Sequence, residues 1–179
     1  MTVTIETGGP LAVPLDDLKA YLAISLDAED LALTGLIRAA SAAAERFLGQ
    51  MIVVRGVEEL LAPRRDWQPL AMRPARAITA VAGIDADGTP FTFPVESHAI
   101  DIDANGTGWL RLLDPGAAAR VRLAYTAGLA VDGEGVPEPI SHAILRMAGE
   151  LHARRDGLEP RLPASVTALL RPWRRMALT

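Results

Sequence analysis

Between residues 51 and 127 the chain offers short runs of alternating and β-branched residues, parted by turns too close together for a helix to fit between them. Asp87-Gly88 and Asn105-Gly106 are hairpin-turn dipeptides. They separate 78–84 from 91–93 and 98–102 from 109–112. A parallel neighbour needs a crossover of a dozen or more residues. The pattern therefore argues against strand–helix–strand units and predicts an antiparallel hairpin or meander region over 51–127. The cleanest alternation lies at 119–125. There Val121, Leu123 and Tyr125 point to one side and Arg120 and Arg122 to the other. Pro63, Pro69 and Pro74 hold 62–76 to turns and short extended pieces.

Helical patterns flank this region. After Pro14, Leu15, Leu18 and Leu22 share a face, and Asp16 and Asp17 suit the positive end of a helix dipole. A second helix is expected from Asp27, a good N-cap, to Phe47 or Leu48, with Gly49 as its stop. Its stripe is Leu33, Ile37, Ala40, Ala44 and Phe47. Gly128 to Gly135 is an acidic linker, and a third helix is expected over 136–157 on the stripe Ile140, Ile144, Met147, Ala148 and Leu151. A short helix from Ala164 to about Leu170 and a C-terminal arm complete 158–179. The expected class is α+β. A small helical core of two N-terminal helices (1–50) and a C-terminal helix carries an inserted β-rich region (51–127), all in one domain of 179 residues.

Composition narrows the chemistry. The chain has no cysteine, which removes disulfides, thiolate metal sites and a cysteine nucleophile. Its net charge is −4, so it has no whole-chain basic footprint for nucleic acid. The first residues have neither the basic nor the apolar region of a signal peptide, and no window reaches a membrane span. A soluble protein made in the cytoplasm is expected. Asp101, Asp103, Asn105 and Gly106 match the opening of a calcium loop, but its twelfth position is Leu112 and its flanks read as strands. A hairpin turn is the better account. His98, His142 and His152 have no metal-type partners at short range, and His142 and His152 fall on different faces of one helix. No nucleophile elbow, Walker loop or dinucleotide fingerprint is present. No metal, cofactor or catalytic residue is expected, and a small enzyme would rest only on unassigned carboxylates.

Two features point to partners instead. The Ala-rich run with Ala39, Ala40 and Ala43 permits close helix packing, either inside one subunit or against a neighbour. The C-terminal end carries Arg146, Arg154, Arg155, Arg161, Arg171, Arg174 and Arg175 with Trp173, giving residues 142–179 a charge of about +4. That arm reads as a docking peptide, as a phosphate-contacting arm, or as a frayed end.

The order of these segments resembles the head–tail connector (head-completion adaptor) family of tailed phages and gene transfer agents. Pro14 to Leu22, the acidic turn Asp27-Ala28-Glu29-Asp30, and the helix through Leu36-Ile37-Arg38 to Phe47-Leu48-Gly49 look like the family's opening helices. Pro74, Ile78, Val81, the Asp87-Gly88 turn and the run from Val121 to Gly128 resemble its hairpin region. Val136-Pro137-Glu138-Pro139-Ile140, Arg154 to Gly157, and Val166 to Arg175 resemble its third helix and closing segment. The resemblance implies a non-enzymatic virion structural protein at the head–tail junction. It would form a ring of about twelve copies below the portal protein and dock the next tail-side connector or stopper protein. DNA would pass through the channel without sequence-specific binding, and no membrane is involved. The alternative is a DNA-binding or packaging accessory that uses the basic arm.

Overall fold

The computed structural model describes residues 2–153 and 162–174. The chain divides into two compact units, one of residues 1–9 and 54–128, the other of 10–53 and 129–179.

The second unit is helical. Helix α1 (Leu15–Leu22) starts after Pro14 with Asp16 and Asp17 in its first turn. It stops where Ala23 turns left-handed at φ 57°. A 3-10 turn (Asp27–Glu29) then leads into α2 (Asp30–Leu48), so the long helix begins three residues later than its N-cap signal predicts. Gly49 ends α2 at φ 68°, a conformation that costs glycine little. Helix α3 (Glu138–Ala153) and α4 (Ala164–Leu170) complete the set. Leu33, Ile37, Ala40, Ala44 and Leu48 of α2 share one core with Ile140, Ala143, Ile144, Met147 and Ala148 of α3. Each fully buried Leu or Ile there contributes roughly 1.5–3 kcal/mol. The chain's entry to and exit from the helical unit are joined, because Leu129 and Ala130 N–H donate to the Met51 and Ile52 carbonyls at 3.1 and 2.9 Å.

The one lysine of the chain ties α1 to the start of α2. Lys19 Nζ donates to Asp27 Oδ1 at 2.6 Å and to Asp30 Oδ1 at 2.8 Å. The hydrogen bond to Asp27, then that to Asp30, hold the Lys19 pKa above the ordinary lysine range. The same bond to Lys19 holds the Asp27 carboxyl below its ordinary value. The stabilisation is present above the ordinary carboxylate range and is lost as pH falls through the lowered Asp27 value; at the alkaline end it is lost only as pH rises through the raised Lys19 value. We expect Lys19→Met to melt slightly earlier than wild type near neutral pH, with the gap closing below about pH 4. The effect is small because Asp27 is exposed. Far-UV dichroism melts across pH check it; a gap that stays constant into acid would contradict the link.

The first unit holds two antiparallel sheets. Strands β1 (Thr2–Ile5), β2 (Arg55–Leu61), β3 (Gln68–Pro69), β4 (Ala75–Ile84), β5 (Pro90–Thr92), β6 (His98–Ile102), β7 (Gly108–Leu112) and β8 (Arg120–Ala127) run in sequence. They assemble as β1-β2-β8-β4-β5 and β3-β7-β6. The hairpins at Asp87-Gly88 and Asn105-Gly106 form as expected, joining β4 to β5 and β6 to β7. The order differs from a simple meander because β8 inserts between β2 and β4. β1, which pairs with β2, lies in a stretch where no strand is expected from the sequence. Val121, Leu123 and Tyr125 are buried, as the alternation in β8 demands. So is Glu59 on β2, which has no exposure at all. Its Oε2 accepts the Tyr125 hydroxyl at 2.9 Å and the Ala71 N–H at 3.1 Å, while Tyr125 Oη accepts the Met72 N–H at 3.0 Å. This pair pins the 70–72 turn to the larger sheet. Burial, foremost, pushes the Tyr125 phenol pKa above its ordinary value.

Candidate partner-binding surfaces

The basic arm is anchored at its root. Val166 and Leu170 of α4 are buried, and a 3-10 turn (Arg171–Trp173) follows directly. Gln50, just past α2, donates from Nε2 to the Trp173 carbonyl at 2.9 Å. The Arg174 guanidinium lies 5.3 Å from the centre of the Phe47 ring. Arg171, Pro172, Trp173 and Arg174 are nevertheless all exposed. They stand out as a held knob at the C-terminal end of α2. Arg154, Arg155, Arg161 and Arg175 lie outside the described residues.

The alanines divide. Ala40 and Ala43 are buried in the core of their own helical unit, so they are not free to face a neighbour. The reason is periodicity: Ala40 stands in the stripe with Leu33, Ile37 and Ala44, and Ala43 flanks it. Ala39 lies about 100° further round the helix and is exposed, as are Ala32, Gly35 and Ala42.

The calcium-like segment is a hairpin turn. Asp103 Oδ1 accepts the Asn105 and Thr107 N–H groups at 2.8 and 2.9 Å, and Oδ2 accepts Trp109 Nε1 at 3.1 Å. The Thr107 backbone bond, foremost, draws the Asp103 pKa below its ordinary value. Gly106 sits at φ 71°, which the turn requires. Among the described residues no group of three or more His, Asp or Glu side chains is placed to hold a metal ion. His152 lies 3.4 Å from Glu29, His98 Nδ1 lies 3.2 Å from the Pro94 carbonyl, and His142 is exposed. Nor is any helix of the described residues long and apolar enough to cross a membrane.

One concave surface escapes the sequence reading. The outer face of the five-stranded sheet holds a groove of about 360 Å³, lined by Thr4, Glu6, Gly56, Glu58, Thr79 and Thr126 over a floor at Ala124. Thr4 stands opposite Glu58 in the β1–β2 register, and Glu58 opposite Ala124 in β2–β8. The sequence signal was the spacing Thr4, Glu6 and Gly56, Glu58. It becomes a surface only once β1 is known to pair with β2.

Comparison with known proteins follows the same lines. Residues 13–85 match the family model described as Phage gp6-like head-tail connector protein. A chain from the neck of an empty GTA particle computed with C6 symmetry has a TM-score of 0.80 and 26% identity, covering 100% of this chain and 98% of that one. Chains from the virion of a native gene transfer agent particle and from its neck computed with C12 symmetry each give a TM-score of 0.76, at the same identity and coverage. No curated protein matches the chain. The chain thus carries the match of a phage head–tail connector through residues 13–85, and over its whole length it has the α+β fold of a protein of the gene transfer agent neck.

Proposed function

We propose that the chain is a structural head–tail connector subunit that forms a ring below the portal of a phage-like particle. The observation that carries this is the whole-chain likeness, at a TM-score of 0.80, to a chain of a gene transfer agent neck. A neck computed with C12 symmetry supports a ring of twelve copies. Both compact units then act as one adaptor subunit of residues 1–179. The ring extends the DNA channel and offers its far side to the next tail-side protein. A net acidic subunit suits a conduit, because dense arginine–phosphate contacts would hold the genome in place. The exposed knob from Arg171 to Arg174, with Arg175 and the arginines before α4, is the partner-binding surface in this reading. Ala39 is left as the small residue open to a neighbouring copy. Catalysis plays no part, and assembly takes place in the bacterial cytoplasm.

Electron microscopy of particles from cells lacking the gene tests the proposal. Separate filled heads and free tails, joined again when the wild-type gene is restored, are expected. Normally joined particles would remove the connector role. Empty heads would favour a packaging accessory that uses the basic arm.

A further inference from the structure

The groove on the outer sheet face is mostly apolar and is edged by acids and hydroxyls. Glu6 and Glu58 supply two carboxylates, and Thr4, Thr79 and Thr126 supply hydroxyls. Its floor is kept low by small residues, Ala124 on β8 with Ala80 opposite it on β4. Gly56 matters for a different reason. A Cβ there would lie 2.8 Å from Glu6 Oε2, so glycine makes the space in which the Glu6 carboxylate sits and accepts the Gly56 N–H at 3.3 Å. Neither Glu6 nor Glu58 has an ion-pair partner among the described residues. The nearest base on the same face is Arg122, opposite Leu60 and one step beyond Glu58, and Arg120 lies two residues farther along β8. The Glu6 end, beside Gly56 and Thr126, is the one farther from both arginines, so an entering cation is best placed there.

The chain also presents cations of the matching kind. Arg171 and Arg174 are exposed with Trp173 on a turn fixed by Gln50 and Phe47. Guanidinium forks recognise carboxylates with directed, paired N–H groups, and a held turn loses little freedom on docking. We infer that the acidic groove of one copy receives the Arg171–Trp173–Arg174 knob of a neighbouring copy. A contact between two different patches is heterologous, the type that closes rings. The inference uses the ring reading above only to bring two copies together.

A fluorescein-labelled full-length chain carrying Glu6→Arg and Glu58→Arg keeps the held knob without the acidic groove; titrated with the wild-type chain, it tests the contact by anisotropy. Saturable binding that weakens with salt is expected. A titrant that also carries Glu6→Arg and Glu58→Arg should raise Kd at least about tenfold, and one with Glu58→Gln, which keeps the side-chain shape, about threefold. Adding Arg171→Glu and Arg174→Glu to the labelled chain should abolish binding to the wild-type groove and restore it on the doubly reversed one. Dichroism melts confirm that each variant is folded. No saturable binding, or binding indifferent to these reversals, overturns the inference. The two readings also fail separately. A doubly reversed chain that still forms normal rings in particles would sink the groove contact and leave the ring intact. Absence of the wild-type chain from the particle neck would sink the ring reading, and the titration would still decide whether the groove binds arginines.

Discussion

Glu59→Ala should destabilise the sheet unit by about 3–5 kcal/mol. The substitution leaves the Tyr125 hydroxyl and the Ala71 N–H without their acceptor in a site from which water is excluded. It also opens a cavity where the carboxylate stood. Glu59→Gln should be far milder. The amide oxygen can take both hydrogen bonds of Oε2, and the amide nitrogen would replace Oε1, which has no hydrogen-bond partner in the structure. Tyr125→Phe removes one member of the same group, so the double variant should cost less than the two single losses added together. Urea unfolding followed by tryptophan fluorescence is the measurement, because Trp67 and Trp109 both lie in this unit. A loss below about 1 kcal/mol for Glu59→Ala would mean that the buried pair does not hold the 70–72 turn.

The second large effect belongs to the helical unit. Ile37→Ala should cost about 2–5 kcal/mol, because Ile37 is 0% exposed between α2 and α3 and its removal leaves a void. Leu31→Ala on the same helix should change stability by no more than about 0.5 kcal/mol, because Leu31 is 88% exposed. Helix propensity favours alanine slightly at both sites, so the contrast isolates burial. Dichroism at the helical band, in urea, reads it out. Equal losses at the two positions would mean that Leu31 is covered in solution, which only association of copies would explain.

The elements visible in the sequence are those whose signals are local. Gly49 stops α2, Asn105-Gly106 turns β6 into β7, and the stripe from Leu33 to Ala44 faces the core, each through residues a few positions apart. The same stripe already committed Ala40 to the interior and left Ala39 exposed. What the sequence hid is non-local. Nothing near Thr2–Ile5 announces a partner more than fifty residues away, and nothing near Arg120–Ala127 announces that it will lie between β2 and β4. Glu58 and Glu59 adjoin in the sequence, and only the pairing of β2 with β8 puts one outside and the other in reach of the Tyr125 hydroxyl. The knob at Arg171–Trp173 was legible as composition, but its anchoring by Gln50 and Phe47 was not.

The interleaving of the two units along the chain sets an order of events on the ribosome. The first strand emerges before either unit can use it, and α1 and α2 follow without α3, whose residues close their core. The sheet unit is the first to possess all its parts, once Gly128 has been made. Until α3 follows, Leu33, Ile37 and Leu48 lack the helix that closes their core. A growing chain therefore holds every strand of its sheet unit before it can close its helical core, and folding from the middle outward is built into the order in which the segments are made.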